Sequence, residues 1–283
     1  MESEISNPNE YYNSYPQKVI MRPGYPARAQ FKSTLMWKLF GEELLKEIHE
    51  IRAYADVGGC FGFGANSMAF QISRRQEFYP QTFVFEIAKD FIEIGEKIFP
   101  YINFIGNDVL SWNGQSQIFD LVTLFDVIEH IPQPDLFLRG LSEKTRYAIL
   151  KTPMETTGEL RGSHPPFNQG FSHPDGHINF FDPNPYMKLL KENGFEVLKW
   201  HLVRSIVPRH TEIILEPETC VSERKMQTIF DVVTIGKKLL KKSILNVLSL
   251  PCLFQHSRKI LGGGDHLCLV KSNKYLVHHF GDE

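Results

Sequence analysis

The sequence predicts an α/β fold: a doubly wound, mostly parallel sheet with helices on both faces. Three observations carry that prediction. Short apolar runs lie at 53–57, 82–85, 102–105, 121–125 and 147–150, and three of them stop at Gly or Asp. Stretches with a helical period separate them, at 65–75, 88–98 and 134–141, and strand–helix alternation of this kind builds parallel sheets. A glycine-rich turn follows the first run directly.

Upstream, residues 1–33 carry Pro8, Pro16, Pro23 and Pro26 and read as an irregular arm. Met36, Leu39, Phe40, Leu44, Leu45 and Ile48 then recur at helical spacing, predicting a helix over 36–51. Downstream, a helix over 184–192 stops at Asn193-Gly194, a C-capping pair, and leads into a strand over 195–203. The chain thus divides into an arm and helix (1–50), a core (51–204), a helical basic insertion (205–264) and a closing strand with tail (265–283).

Composition narrows the function classes. Of 283 residues, 42% are hydrophobic and 23% charged, an ordinary globular balance. Lys and Arg number 31 against 33 Asp and Glu, a net charge of −2, which argues against sequence-independent nucleic-acid binding. Cys60, Cys220, Cys252 and Cys268 form no CxxC pair, so neither a zinc pattern nor a disulfide framework is expected. The polar start MESEISNPNEYY lacks a secretory pattern, and no run offers a membrane span. A soluble, cytoplasmic protein is the expectation.

The sharpest local signal is DVGGCFGFG, residues 56–64, between a strand and a helix. Glycines there let the backbone turn tightly and approach a ligand closely. The spacing is not GxGxxG, and no P-loop Lys follows, which fits a cofactor without phosphates. Glu86 ends the next strand, where a carboxylate can accept both hydroxyls of a ribose. Asp108, after the third strand, can accept from an adenine amino group, although Asn107-Asp108 is also ordinary turn chemistry. All three positions would line the crevice outside the carboxyl ends of the strands.

DVGGCFGFG, Glu86, GNDVL and FDLVTLFDVIEHIPQPDLFLRGL together resemble the class I S-adenosylmethionine-dependent methyltransferases, with a Rossmann-like core. HINFF and KENGFEVL are similar to the branch containing ubiquinone-type O-methyltransferases and many sugar methyltransferases. The resemblance spans roughly residues 52–203 plus the last strand. It implies that Asp56, Gly58, Gly59 and Gly62 surround the methionine part of the cofactor. Glu86 would hold the ribose, Asp108 and Val109 the adenine, and Phe125 and Asp126 would floor the sulfonium. One departure stands out, for the family usually carries Gly where this chain has Cys60.

Methyl transfer from a sulfonium mainly requires alignment, and a hydroxyl acceptor gains further from a general base. DVIEH, residues 126–130, offers Glu129 and His130 where the fourth strand exits, or these two simply brace the following turn. SHPPFNQGFSHPDGHINFF adds His164, His173 and His177. His177 can serve the acceptor pocket as a base or hydrogen-bond partner. Alternatively, Glu129, His130, His173 and His177 gather around a divalent metal ion, or the loop histidines are merely surface groups. The metal arrangement resembles that of small-RNA 3′-end 2′-O-methyltransferases, whose histidine cluster is tighter.

Residues 221–260 carry eight Lys or Arg against two acids, with apolar residues near one helical face. Such a helix can lie on an anionic membrane surface, meet a lipid-linked substrate, or pack as a lid or dimer element. The expected activity is therefore S-adenosylmethionine-dependent O-methylation of a small-molecule, sugar or glycoconjugate hydroxyl. The alternatives are RNA 3′-end 2′-O-methylation and a catalytically silent cofactor-binding subunit.

Overall fold

The structure is a computed structural model and describes residues 24–112, 118–154, 177–203 and 264–274. Seven strands form one sheet in the order β3-β2-β1-β4-β5-β7-β6. They are β1 (Ala53–Val57), β2 (Gln81–Phe85), β3 (Asn103–Ile105), β4 (Phe119–Phe125), β5 (Thr145–Met154), β6 (Phe195–Val203) and β7 (Gly264–Ser272). The helices are α1 (Tyr25–Glu47), α2 (Phe63–Ser73), α3 (Lys89–Ile98), α4 (Pro134–Ser142) and α5 (Pro183–Glu192). A 3-10 turn, Ile128–His130, follows β4.

Strands β1 to β5 are parallel, and β7 runs antiparallel between β5 and β6. The chain order reverses between β1 and β4, so the crevice at their carboxyl ends is the topological switch point. Every residue of β1 is buried, as expected of a central strand covered on both faces.

Two apolar layers sandwich the sheet. On one face α1 and α2 contribute Met36, Phe40, Leu44, Met68 and Ile72 around Tyr54 and Leu121. On the other, Phe137, Leu138 and Leu141 of α4 with Tyr186 and Leu190 of α5 cover Ala55, Val122 and Leu150. Each large side chain buried in this way contributes about 1.5–3 kcal/mol, which fixes the sheet as the rigid floor of the crevice.

One expectation is corrected. The arm was expected to stay irregular to residue 33, yet α1 begins at Tyr25. Pro26 sits in the first helical turn, where its missing N–H costs nothing, and Gly24 caps the helix at φ 76°. Ser33, Met36, Trp37, Phe40, Gly41 and Leu44 form its buried stripe. The insertion at 205–264 lies outside the described residues, apart from Gly264. Among the described residues no helix is long and apolar enough to cross a membrane.

Candidate active site

The glycine turn is shaped by backbone geometry. Gly58 and Gly62 take φ of 69° and 81°, and a Cβ on Gly58 would stand 2.9 Å from Val127. Gly58 donates to the Phe85 carbonyl (2.8 Å) and Gly62 to the Gly59 carbonyl (2.9 Å), closing the turn into α2. Cys60 also lies in the left-handed region, at φ 49°. The family's usual Gly at this position therefore has a conformational reason, and Cys60 occupies it under strain.

Acids hold this turn from below. Asp56 is buried and accepts from the Thr123 hydroxyl at 2.6 Å, and Thr123 in turn shares a hydrogen bond with Tyr54. A Cβ on Gly59 would come within 2.9 Å of the other Asp56 carboxylate oxygen. Burial pushes the Asp56 carboxyl up to about 7, with Thr123 pulling it down and Glu86 adding to the rise.

Glu86 accepts from the amides of Ile87 (2.8 Å) and Ala88 (3.0 Å) with one oxygen and from Cys60 (3.0 Å) with the other. These bonds use three of a carboxylate's roughly four acceptor positions. Glu86 thus braces the turn and keeps capacity for one more donor. Burial raises its pKa, against the three amides. Asp108 is exposed, and one of its oxygens accepts from the Leu110 amide at 3.0 Å, an Asx turn. Val109 is wholly within the core, so its side chain offers a ligand no surface.

At the end of β4, Phe125 packs on the α1–α2 face and Asp126 takes φ 60°. Asp126 joins a chain of charges that the sequence did not announce. Lys32 of α1 reaches one of its oxygens at 2.6 Å, and Lys151 of β5 pairs with the other. Lys151 pairs in turn with Asp265 of β7 at 3.0 Å. The sequence Lys32–Asp126–Lys151–Asp265 alternates in sign from the solvent-facing side inward. Burial alone would raise the Asp126 pKa, but the two lysines hold it well below the carboxylate range. Burial would likewise lower Lys151, and its two acids raise it instead.

Glu129 contrasts with these acids. It is fully buried in the 3-10 turn, and neither carboxylate oxygen has a hydrogen-bond partner from another described residue. Burial and the Asp126 charge push its pKa well up. Its backbone carbonyl is occupied, accepting from the amides of Ile178 and Asn179 at 3.0 Å each. The Asn179 side-chain amide also donates to the Ile131 carbonyl at 2.6 Å.

That stitching brings the HINFF segment against the Glu-His turn. The His130 and His177 rings lie edge to face at 4.9 Å. One potential ligand atom from each of Glu129, His130 and His177 falls within 4.8 Å of the others. A buried carboxylate without a partner among the described residues, beside two imidazoles, is a donor set that fits a divalent cation. His173, the fourth expected member, lies outside the described residues.

Sequence reasoning missed Lys32, Lys151, Asp265 and Asn179. Lys151 carried a legible signal, since a cation inside the apolar run YAILKTPM must find buried partners. The other three depend on contacts between distant segments.

Residues 43–199, more than half of the chain, match the family model described as a methyltransferase domain. No curated protein matches in sequence. Solved structures share the fold at low identity. A protein provisionally described as a sarcosine dimethylglycine methyltransferase from Galdieria sulphuraria has a TM-score of 0.55 at 14% identity, covering 85% of this chain and 86% of its own. The [4+2]-cyclase SpnF gives 0.51 at 12%, covering 86% and 81%. A protein provisionally described as a methyltransferase, solved in complex with the Haloferax volcanii methyltransferase activator Trm112, gives 0.51 at 9%, covering 92% and 97%. With its family match, seven-stranded sheet and glycine turn at the switch point, the chain belongs to the class I S-adenosylmethionine-dependent methyltransferases.

Proposed function

We propose that the enzyme methylates a hydroxyl group, on a sugar or glycoconjugate acceptor. The observation that carries this is the convergence of Glu129, His130 and His177 beside the end of β4. A hydroxyl is a poor nucleophile until its proton is removed or polarised, and these three groups supply that function. An amine or thiolate acceptor has less need of such a cluster. The HINFF segment adds its resemblance to sugar and ubiquinone-type enzymes.

In this mechanism the glycine turn and Glu86 would hold the cofactor, and Asp126 would face its sulfonium. His130 accepts the acceptor's proton as oxygen attacks the methyl carbon in line with sulfur. The carbon–sulfur bond breaks, and its electron pair stays on sulfur as the neutral thioether. If a divalent ion is used instead, Glu129, His130 and His177 would hold it, His130 would then be a ligand and not the base, and the ion would lower the pKa of an acceptor hydroxyl. The basic amphipathic stretch 221–260 would favour a lipid-linked acceptor at an anionic surface.

The test is methyl transfer from radiolabelled S-adenosylmethionine into lysate separated into lipid, glycan, small polar and RNA fractions. Label is expected in a lipid, glycan or small polar pool, whereas label in RNA would overturn the acceptor assignment. Repeating the assay after chelation, then with added magnesium, manganese or zinc, decides the ion. Loss and recovery of activity would support it, and full activity in chelator would leave His130 as base alone.

A further inference from the structure

The face of α1 toward the crevice has no role in the mechanism above. Tyr25, Ala29, Lys32 and Ser33 follow a helical i, i+4, i+7, i+8 spacing. Tyr25 packs edge-on against Phe61 of the glycine turn at 5.6 Å. A Cβ on Gly64, just past the turn, would meet the Ser33 hydroxyl at 3.3 Å and the Ala29 carbonyl at 4.0 Å. The Ser67 hydroxyl of α2 donates to the Gln30 carbonyl at 3.2 Å. Lys32 completes the span by reaching Asp126 across the crevice. The first half of α1 therefore lies over both the glycine turn and the end of β4.

The charges of the crevice pose a problem for the cofactor. Its amine and sulfonium are cationic and suit Asp56, Glu86 and Asp126. Its methionine carboxylate is anionic and would be repelled by those same acids. Lys151 cannot serve it, being 5% exposed and already shared between Asp126 and Asp265. Lys32 is different, since its side chain remains partly exposed at the rim. Asp126 also keeps Lys151 as a partner if Lys32 turns away.

We infer that Lys32 is a cofactor-binding residue, whose ammonium takes the methionine carboxylate and so fastens α1 over the bound cofactor. The inference rests on S-adenosylmethionine being the ligand of this crevice. It assigns Asp126 as the partner of Lys32 without cofactor and the carboxylate as its partner with it. Arg28 stands one turn earlier in α1 and provides the control position.

Calorimetry on the full chain with two ligands tests this. S-adenosylhomocysteine carries the carboxylate, and S-adenosyl-3-thiopropylamine keeps the amine but lacks it. The native chain should prefer the first by at least about tenfold, the scale of a charged hydrogen bond. Lys32→Gln should abolish that preference by weakening only S-adenosylhomocysteine, and Lys32→Arg should retain most of it.

Equal weakening of both ligands would reduce Lys32 to a brace for Asp126 and overturn the inference. So would unchanged binding, or a selective loss in Arg28→Gln instead. Equal affinities in the native chain would overturn it without any variant. Absence of binding by either ligand to the native chain would instead remove the cofactor assignment on which the inference stands.

Discussion

On the β1–β2 side of the crevice, Asp56 and Glu86 are buried but satisfied, one by a hydroxyl and the other by three amides. On the β4–β5 side, Glu129 is buried with no partner for its carboxylate among the described residues, next to a chain of four alternating charges. The first region is finished by its own backbone and can receive a cofactor with little rearrangement. The second holds an unbalanced acid, which is costly unless a proton, a cation or a substrate group completes it. In the proposed mechanism, the difference separates a binding half that is built in advance from a reacting half that is completed by what it binds.

The contrast is broken most severely at Lys151. Lys151→Met leaves Asp126 and Asp265 without the cation between them, and should destabilise the fold by about 3–5 kcal/mol. Denaturant unfolding measures this, and a loss below about 1 kcal/mol would mean that the network is not held as described. Next comes His130→Ala, which should lower kcat by about 100-fold while leaving S-adenosylhomocysteine affinity within about twofold. Single-turnover kinetics beside calorimetry separates the two effects, and a loss of affinity equal to the loss in rate would merge the two halves.

A pH series sharpens the comparison on the cofactor side. Asp56 has an ordinary value of 3.8 and is raised to about 7 in the folded chain. It therefore favours folding fully below pH 4, and that contribution is lost as pH rises toward 7. The slope approaches about 1.4 kcal/mol per pH unit within that window. Asp56→Asn should remove this component, seen as a flatter stability profile between pH 4 and 7. The smallest effect is expected at Cys60, where Cys60→Gly relieves the left-handed backbone. A gain of about 0.5–1 kcal/mol remains after the added chain entropy of Gly, readable as a rise in melting temperature.

Much of this fold was written locally. Strands β1 and β6 match their expected limits, because apolar runs bounded by turn residues need no distant information. The glycine turn, Glu86 and the DVIEH segment were legible for the same reason. Other features were not. Pro26 made the start of α1 look irregular, although a proline in the first turn is compatible with a helix. Strand β7 was expected, but its antiparallel direction depends on where the chain re-enters the sheet. The Lys32–Asp126 and Lys151–Asp265 pairs join residues 94 and 114 positions apart, and no spacing rule spans such distances. His177 was singled out from its loop, yet its place beside His130 comes from the Ile178 and Asn179 amides on the Glu129 carbonyl.

That last anchorage bears on how the enzyme can be re-purposed. The 22 residues at 155–176 depart from the end of β5 and rejoin the chain at His177, where two main-chain bonds and the Asn179 side chain fasten it. Main-chain bonds are indifferent to the side chains that precede them. Segments of other length or composition can therefore be grafted between Met154 and His177 while the histidine pair stays in register.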